Sequence, residues 1–115
     1  MVATAQGDIC WAELPDPTGS GPGFRRPVVV VQGDALNRSR IATVVCVPMT
    51  SNLRWADAPG NVLLAAATTG LDRDSVAVAS QIVAIDRALL EATVGALADR
   101  HLELVLDGIE VVLGR

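Results

Sequence analysis

Arg26-Pro27-Val28-Val29-Val30-Val31-Gln32 decides the fold. Four consecutive β-branched valines leave no polar face, the pattern of a strand covered on both sides. The chain must therefore supply a layer for each face. Upstream, residues 15–26 read PDPTGSGPGFRR, with three prolines and three glycines, which neither a helix nor a ladder accepts. This predicts a long mobile loop. Before it, Gly7-Asp8-Ile9-Cys10-Trp11-Ala12-Glu13-Leu14 alternates Ile9 and Trp11 with other residues, a half-buried strand ending at Pro15. Downstream, Gly33-Asp34 turns the chain, with Asp34 expected to cap a helical turn through Ala35-Leu36-Asn37. A second core strand, 41–47, is expected to stop at Pro48.

Further along, 53–60 reads as a loop, 61–65 as a strand, 69–74 as a turn and 75–85 as a fifth strand. The remainder reads as helical. Asp86 is placed to cap a helix over 87–92, with Gly95 as its stop. Ala98, Leu102, Val105, Ile109 and Val112, at spacings of 4, 3, 4 and 3, form an apolar stripe widened by Leu106 and Leu113. Arg100, Glu103, Asp107 and Glu110 take the opposite face, so an amphipathic helix lies on the sheet. Strands followed by helices give an α+β class, specifically an SH3-like, strongly curved antiparallel β-barrel with a C-terminal amphipathic helix. The 115 residues suit one domain, 1–115.

The formal net charge is −4, and all nine basic residues are arginine, which excludes a uniformly basic nucleic-acid coat. The charge is unevenly distributed. Residues 1–73 carry six arginines and six acids, whereas 74–115 carry three arginines and seven acids. Within 22–54, five arginines face one acid. Because salt limits the reach of exposed charges to about 8 Å, this stretch can attract a polyanion on an acidic protein. With aromatics at 3%, base-stacking platforms are not the means of binding.

His101 with only Cys10 and Cys46 makes no closed metal site, and no metal or cofactor is expected. Both cysteines sit in apolar runs and read as reduced core residues. The first residues lack a basic segment followed by an apolar one, and no apolar run reaches membrane-spanning length. A cytoplasmic protein without membrane association is expected.

Taken in order, several blocks resemble the MazF/PemK (Kid) family of toxin ribonucleases. They are Gly7 to Leu14; Gly19-Ser20 with Arg25-Arg26-Pro27, its valines and Gln32; Asp34-Ala35-Leu36-Asn37-Arg38-Ser39; Val47-Pro48-Met49-Thr50-Ser51-Asn52; Gly70-Leu71 with Asp74-Ser75-Val76; Gln81-Ile82 with Ile85-Asp86; and Gly95 with Leu113-Gly114. The family's usual asparagine before Asp34 is Gly33 here, and its usual leucine in Pro-x-Thr-Ser is Met49. The resemblance implies a homodimer that cuts single-stranded RNA at short sequences without metal and is silenced by a cognate antitoxin. It also implies that Arg26 and Thr50 form the reaction centre.

That pair suits the chemistry. RNA carries its own nucleophile, the 2′-hydroxyl, and positioning it supplies much of the rate. Charge then grows on the non-bridging phosphate oxygens. Arg26 offers a permanent bidentate cation and Thr50 a hydroxyl donor. The products would be a 2′,3′-cyclic phosphate and a 5′-hydroxyl. On an extended strand Arg25 and Arg26 point to opposite sides, so one of them faces the scissile phosphate.

Arg25, Asn37, Arg38, Ser39, Ser51, Asn52 and Gln81 complete the candidate RNA-binding set. Two readings stand for Asn37 to Ser39, base or phosphate contact and a capped turn. Gln81 reads either as a base contact or as a partner for a strand-end backbone group. Glu13 and Asp16 flank the Pro15 loop as proton-handling candidates or solvated carboxylates, and His101 reads as a surface residue of the last helix. A flexible acidic antitoxin segment is expected to compete for the 22–54 arginines. The alternatives are a CcdB-like toxin that poisons DNA gyrase and a non-catalytic SH3-like binding module.

Overall fold

The computed structural model describes residues 4–14 and 24–115. The expected mobile loop lies outside them except for its last three residues. Those three, Phe24, Arg25 and Arg26, already belong to a strand.

The strands are β1 (Asp8–Leu14), β2 (Phe24–Val30), β3 (Thr43–Thr50), β4 (Val62–Leu64), β5 (Ser75–Ala77), β6 (Val83–Asp86) and β7 (Leu90–Ala96). Short helices α1 (Asp34–Asn37) and α2 (Ala66–Thr69) interrupt them, and α3 (Asp99–Leu113) closes the chain. All pairings are antiparallel, in the order β4-β5-β3-β2-β1-β7, with β6 on β3. The result is the expected curled antiparallel sheet with a C-terminal helix.

Alternation along the strands divides the interior in two. Cys10, Ala12, Leu14, Val28, Val30, Val44, Cys46 and Ile85 pack together on one face of the sheet. Ile9, Val29, Val31, Val47 and Met49 point the other way, and Val105 of α3 packs into them, with Leu102, Leu106 and Ile109 alongside. The valine run is thus buried on both faces. Helix α3 approaches closely through Gly108, where an added Cβ would collide with the carbonyl oxygen of Gly60. Leu113, expected on the apolar stripe, is instead exposed at the helix end, and Ala98 is the N-cap.

Other boundaries differ from the sequence reading for identifiable reasons. Strand β3 continues through Pro48 to Thr50. Opposite Pro48 the neighbouring strand is broken instead. The expected strand 75–85 splits into β5 and β6 around the turn Ala79–Gln81, and the Val78 N–H reaches the Pro48 carbonyl at 3.0 Å. The expected helix over 87–92 is one turn, Arg87–Leu89, followed by β7. Asp86 does cap that turn, accepting the Ala88 N–H at 2.8 Å. Thr93 and Val94 then favour extension, and β1 offers an unpaired edge for Thr93 and Gly95 to pair with. Helix α1 starts from Gly33, with Asp34 inside it rather than capping it.

Candidate active site

Pro27 fixes where the central ladder ends. Strands β2 and β3 pair at Val30–Cys46, Val29–Val47 and Val28–Pro48, and go no further. The next rung would join Pro27 to Met49, but Pro27 has no N–H to donate. Beyond this point β2 stays with β1, pairing Pro27 with Trp11 and Arg26 with Ala12. Strand β3 turns to β5, pairing Met49 with Ala77 and Thr50 with Val76. The fork opens a cleft of about 370 Å³.

Arg26, Thr50 and Ser51 line this cleft with Arg25, Trp11, Pro27 and Met49. The loop before β5 adds Leu71, Asp72 and Arg73 to the lining, with Ser75 at the start of β5. The two residues that the resemblance singles out are therefore brought together from different strands. The Thr50 hydroxyl oxygen accepts the Asn52 N–H at 3.1 Å, leaving its own proton available to a ligand. Asn52 in turn begins the turn Leu53–Asp57, accepting the Arg54 N–H at 3.4 Å.

Arg25 and Arg26 have different surroundings. Arg25 lies across the sheet with its Nε 2.9 Å and its Nη2 2.8 Å from the two oxygens of Glu91 on β7. Its guanidinium also covers the Trp11 ring at 4.4 Å from the centroid. The charge-assisted bond to Glu91 raises the Arg25 pKa and lowers that of Glu91. Sequence reasoning overlooked Glu91, Trp11 and Arg73. Arg73 falls between the Gly70-Leu71 and Asp74-Ser75 blocks, a position that was the available signal.

Asn37, Arg38 and Ser39 lie elsewhere, along a second groove with Arg40, Ile41, Leu90 and Thr93. Asn37 is buried: its Oδ1 accepts from Gln32 Nε2 at 3.0 Å, and its Nδ2 donates to the Gln32 carbonyl at 2.9 Å. The Ser39 hydroxyl donates to the Leu36 carbonyl at 2.6 Å and accepts the Ile41 N–H at 3.2 Å. Both side chains thus make the local turn. Asp34 accepts the Gln6 N–H at 2.8 Å, which with the Asn37 amide holds its carboxyl below the ordinary value. Arg38 is exposed on this groove. Gln81 ends the turn before β6, half-buried.

Glu13 is exposed opposite Arg25, and Asp16 lies outside the described residues. His101 is half-buried on α3, with Nδ1 enclosed and lacking a hydrogen-bond partner, away from the cleft lining. Both cysteines are buried, as expected. Burial pushes the Cys46 pKa up to about 12 and raises that of Cys10, so neither is a nucleophile. Among the described residues, no three His, Cys, Asp or Glu side chains gather where they could hold a metal ion. Nor is any helix among them long and apolar enough to cross a membrane.

A cationic cleft with a hydroxyl donor beside a guanidinium can hold a phosphodiester and stabilise added charge on it. Similarity to known proteins points the same way. Residues 5–113 match the family described as PemK-like, MazF-like toxin of type II toxin-antitoxin system. The chain is 44% identical over 110 residues to Endoribonuclease MazF6 of Mycobacterium tuberculosis, covering 90% of this chain and 96% of that protein. The crystal structure of MazF from Deinococcus radiodurans superposes with a TM-score of 0.83 at 22% identity, covering 100% of both chains. A MazE-MazF structure from the same organism gives 0.76 at 23% identity, covering 99% of this chain and 98% of that one. The chain belongs to the PemK-like, MazF-like family of type II toxin–antitoxin toxins.

Proposed function

We propose that the chain is an endoribonuclease toxin that cuts single-stranded RNA at the fork cleft, with Arg26 and Thr50 as its catalytic residues. The observation that carries this reading is the meeting of these two side chains in one cleft, from strands whose ladder Pro27 terminates. The RNA 2′-oxygen attacks the adjacent phosphorus and its proton departs. The bond from phosphorus to the 5′-oxygen breaks, and that oxygen takes up a proton. The ends are a 2′,3′-cyclic phosphate and a 5′-hydroxyl. Arg26 clamps the non-bridging oxygens as their charge grows, and the Thr50 hydroxyl donates to them. The protein supplies all of this from its own side chains, without a metal ion.

Ser51 and Asn52 follow directly after β3 and serve flanking nucleotides, with Gln81 and Arg38 as more distant RNA contacts. Arg25 contributes by exchanging Glu91 for an RNA phosphate. The protein works in the cytoplasm, where messenger RNA is the substrate. A cognate antitoxin inhibits it by laying a flexible acidic segment over the same arginines. Exposed Leu104, Val111 and Leu113 on α3 and Leu63 on β4 support a homodimer, since they leave apolar surface for a second copy.

The test is to incubate the purified protein with a mixed RNA pool in excess chelator and map the fragment ends. Fragments with 5′-hydroxyl ends at a recurrent short sequence are expected. Intact RNA would contradict the activity, and cleavage abolished by chelator would contradict the chemistry.

A further inference from the structure

We propose that Arg73 is an RNA-binding residue, the anchor in the cleft for a phosphate next to the scissile one. The inference rests on the endoribonuclease reading above and adds a residue to it. Arg73 lines the same cleft as Arg26 and Thr50, on the loop that joins α2 to β5. Its side chain is exposed, and no hydrogen bond or ion pair among the described residues engages its guanidinium.

The backbone beneath it is fixed on both sides. Asp74 accepts the Ala66 N–H at 2.8 Å, Thr69 Oγ1 accepts the Leu71 N–H at 3.1 Å, and the Ser75 hydroxyl donates to the Arg73 carbonyl at 3.3 Å. Leu71 packs against the main core, and Ser75 is buried. An arginine without a partner on an anchored loop loses little backbone entropy when it grips a ligand.

The charges around it favour an anion. Arg25 is already paired with Glu91, and among the described residues the one carboxylate lining the cleft is Asp72. Arg26 and Arg73 line the same cleft, so a chain with a phosphate at every nucleotide can meet both. One phosphate meets Arg26 and Thr50, and its neighbour meets Arg73, which fixes the register of the strand in the cleft.

The experiment measures binding of a single-stranded RNA whose cleavage-site nucleotide is 2′-deoxy, so that it cannot be cut, to wild type, Arg73→Ala and Arg73→Lys across a salt series. Arg73→Ala is expected to bind several-fold more weakly. Its slope of log affinity against log salt is expected to fall by about 0.7, the loss of one single-strand phosphate contact. Arg73→Lys is expected to recover most of that slope. On cleavable RNA, KM is expected to rise more than kcat falls. Equal melting temperatures exclude misfolding, which the exposed position predicts. Unchanged affinity and slope in Arg73→Ala, with wild type cutting RNA, would overturn this assignment alone. Wild type that neither binds nor cuts RNA would overturn the activity itself and this assignment with it.

Discussion

Arg26 and Thr50 stand across the open end of the β2–β3 ladder, two residues beyond its last rung, Val28 opposite Pro48. Continuing that register would pair them directly. Because Pro27 interrupts the hydrogen bonding, the two strands part there, and a substrate can take the place of the missing rungs.

Glu91 restrains Arg25. Replacing Glu91 with Gln removes the charge that holds the guanidinium, and RNA affinity is expected to rise several-fold at low salt. Unchanged affinity would show that Arg25 stays out of the RNA path. The pair also carries a pH signature. Arg25 lowers the Glu91 pKa, so its stabilising effect is present above the ordinary glutamate value of about 4.3 and disappears as pH falls through the depressed value. The difference in melting temperature between wild type and Glu91→Gln should therefore shrink below pH 4.

Asn37 and Arg38 are neighbours with separable roles. Asn37→Ala takes one hydrogen-bond partner from the buried Gln32 side chain and one from the Gln32 carbonyl, and is expected to cost about 1–3 kcal/mol in chemical denaturation. Arg38→Ala is expected to leave stability unchanged and weaken RNA binding. A destabilised Arg38→Ala, or an Asn37→Ala of wild-type stability, would reverse the two assignments.

Gly108 sets how closely α3 sits on the body of the protein. Gly108→Ala puts a methyl group against the Gly60 carbonyl oxygen, which is backbone and cannot swing aside. A loss of about 1–3 kcal/mol is expected in denaturant unfolding. Full stability would mean that the helix can shift without cost.

Cys46 should resist alkylation. With its pKa pushed up to about 12 and no exposed surface, native protein at pH 8 is expected to react only as fast as it unfolds. Rapid labelling in the absence of denaturant would contradict the buried placement.

What the sequence disclosed depended on whether a signal was local. The valine run, the period-2 strand at Ile9 and Trp11 and the stripe through Leu102, Val105 and Ile109 are patterns of burial, and their elements were legible. The 90–96 segment was not, because Ala88-Leu89-Leu90-Glu91-Ala92 has helical propensity while the free edge of β1 lies far away in sequence. Pro48 is a related case: locally a proline signals a strand end, whereas here the interruption falls on the opposing strand. That Arg26 and Thr50 belong together was legible from motif blocks. Arg73 was signalled only by its place between two blocks, and Glu91 not at all, since it meets Arg25 only when distant strands fold against one another.

The most direct test of the central claim compares single-turnover cleavage of one mapped RNA by wild type, Arg26→Ala and Thr50→Ala, with folding checked by melting temperature. Each substitution is expected to slow cleavage by roughly 10²–10³-fold while the protein stays folded. Cleavage at the wild-type rate by both folded variants would contradict the placement of the reaction between Arg26 and Thr50.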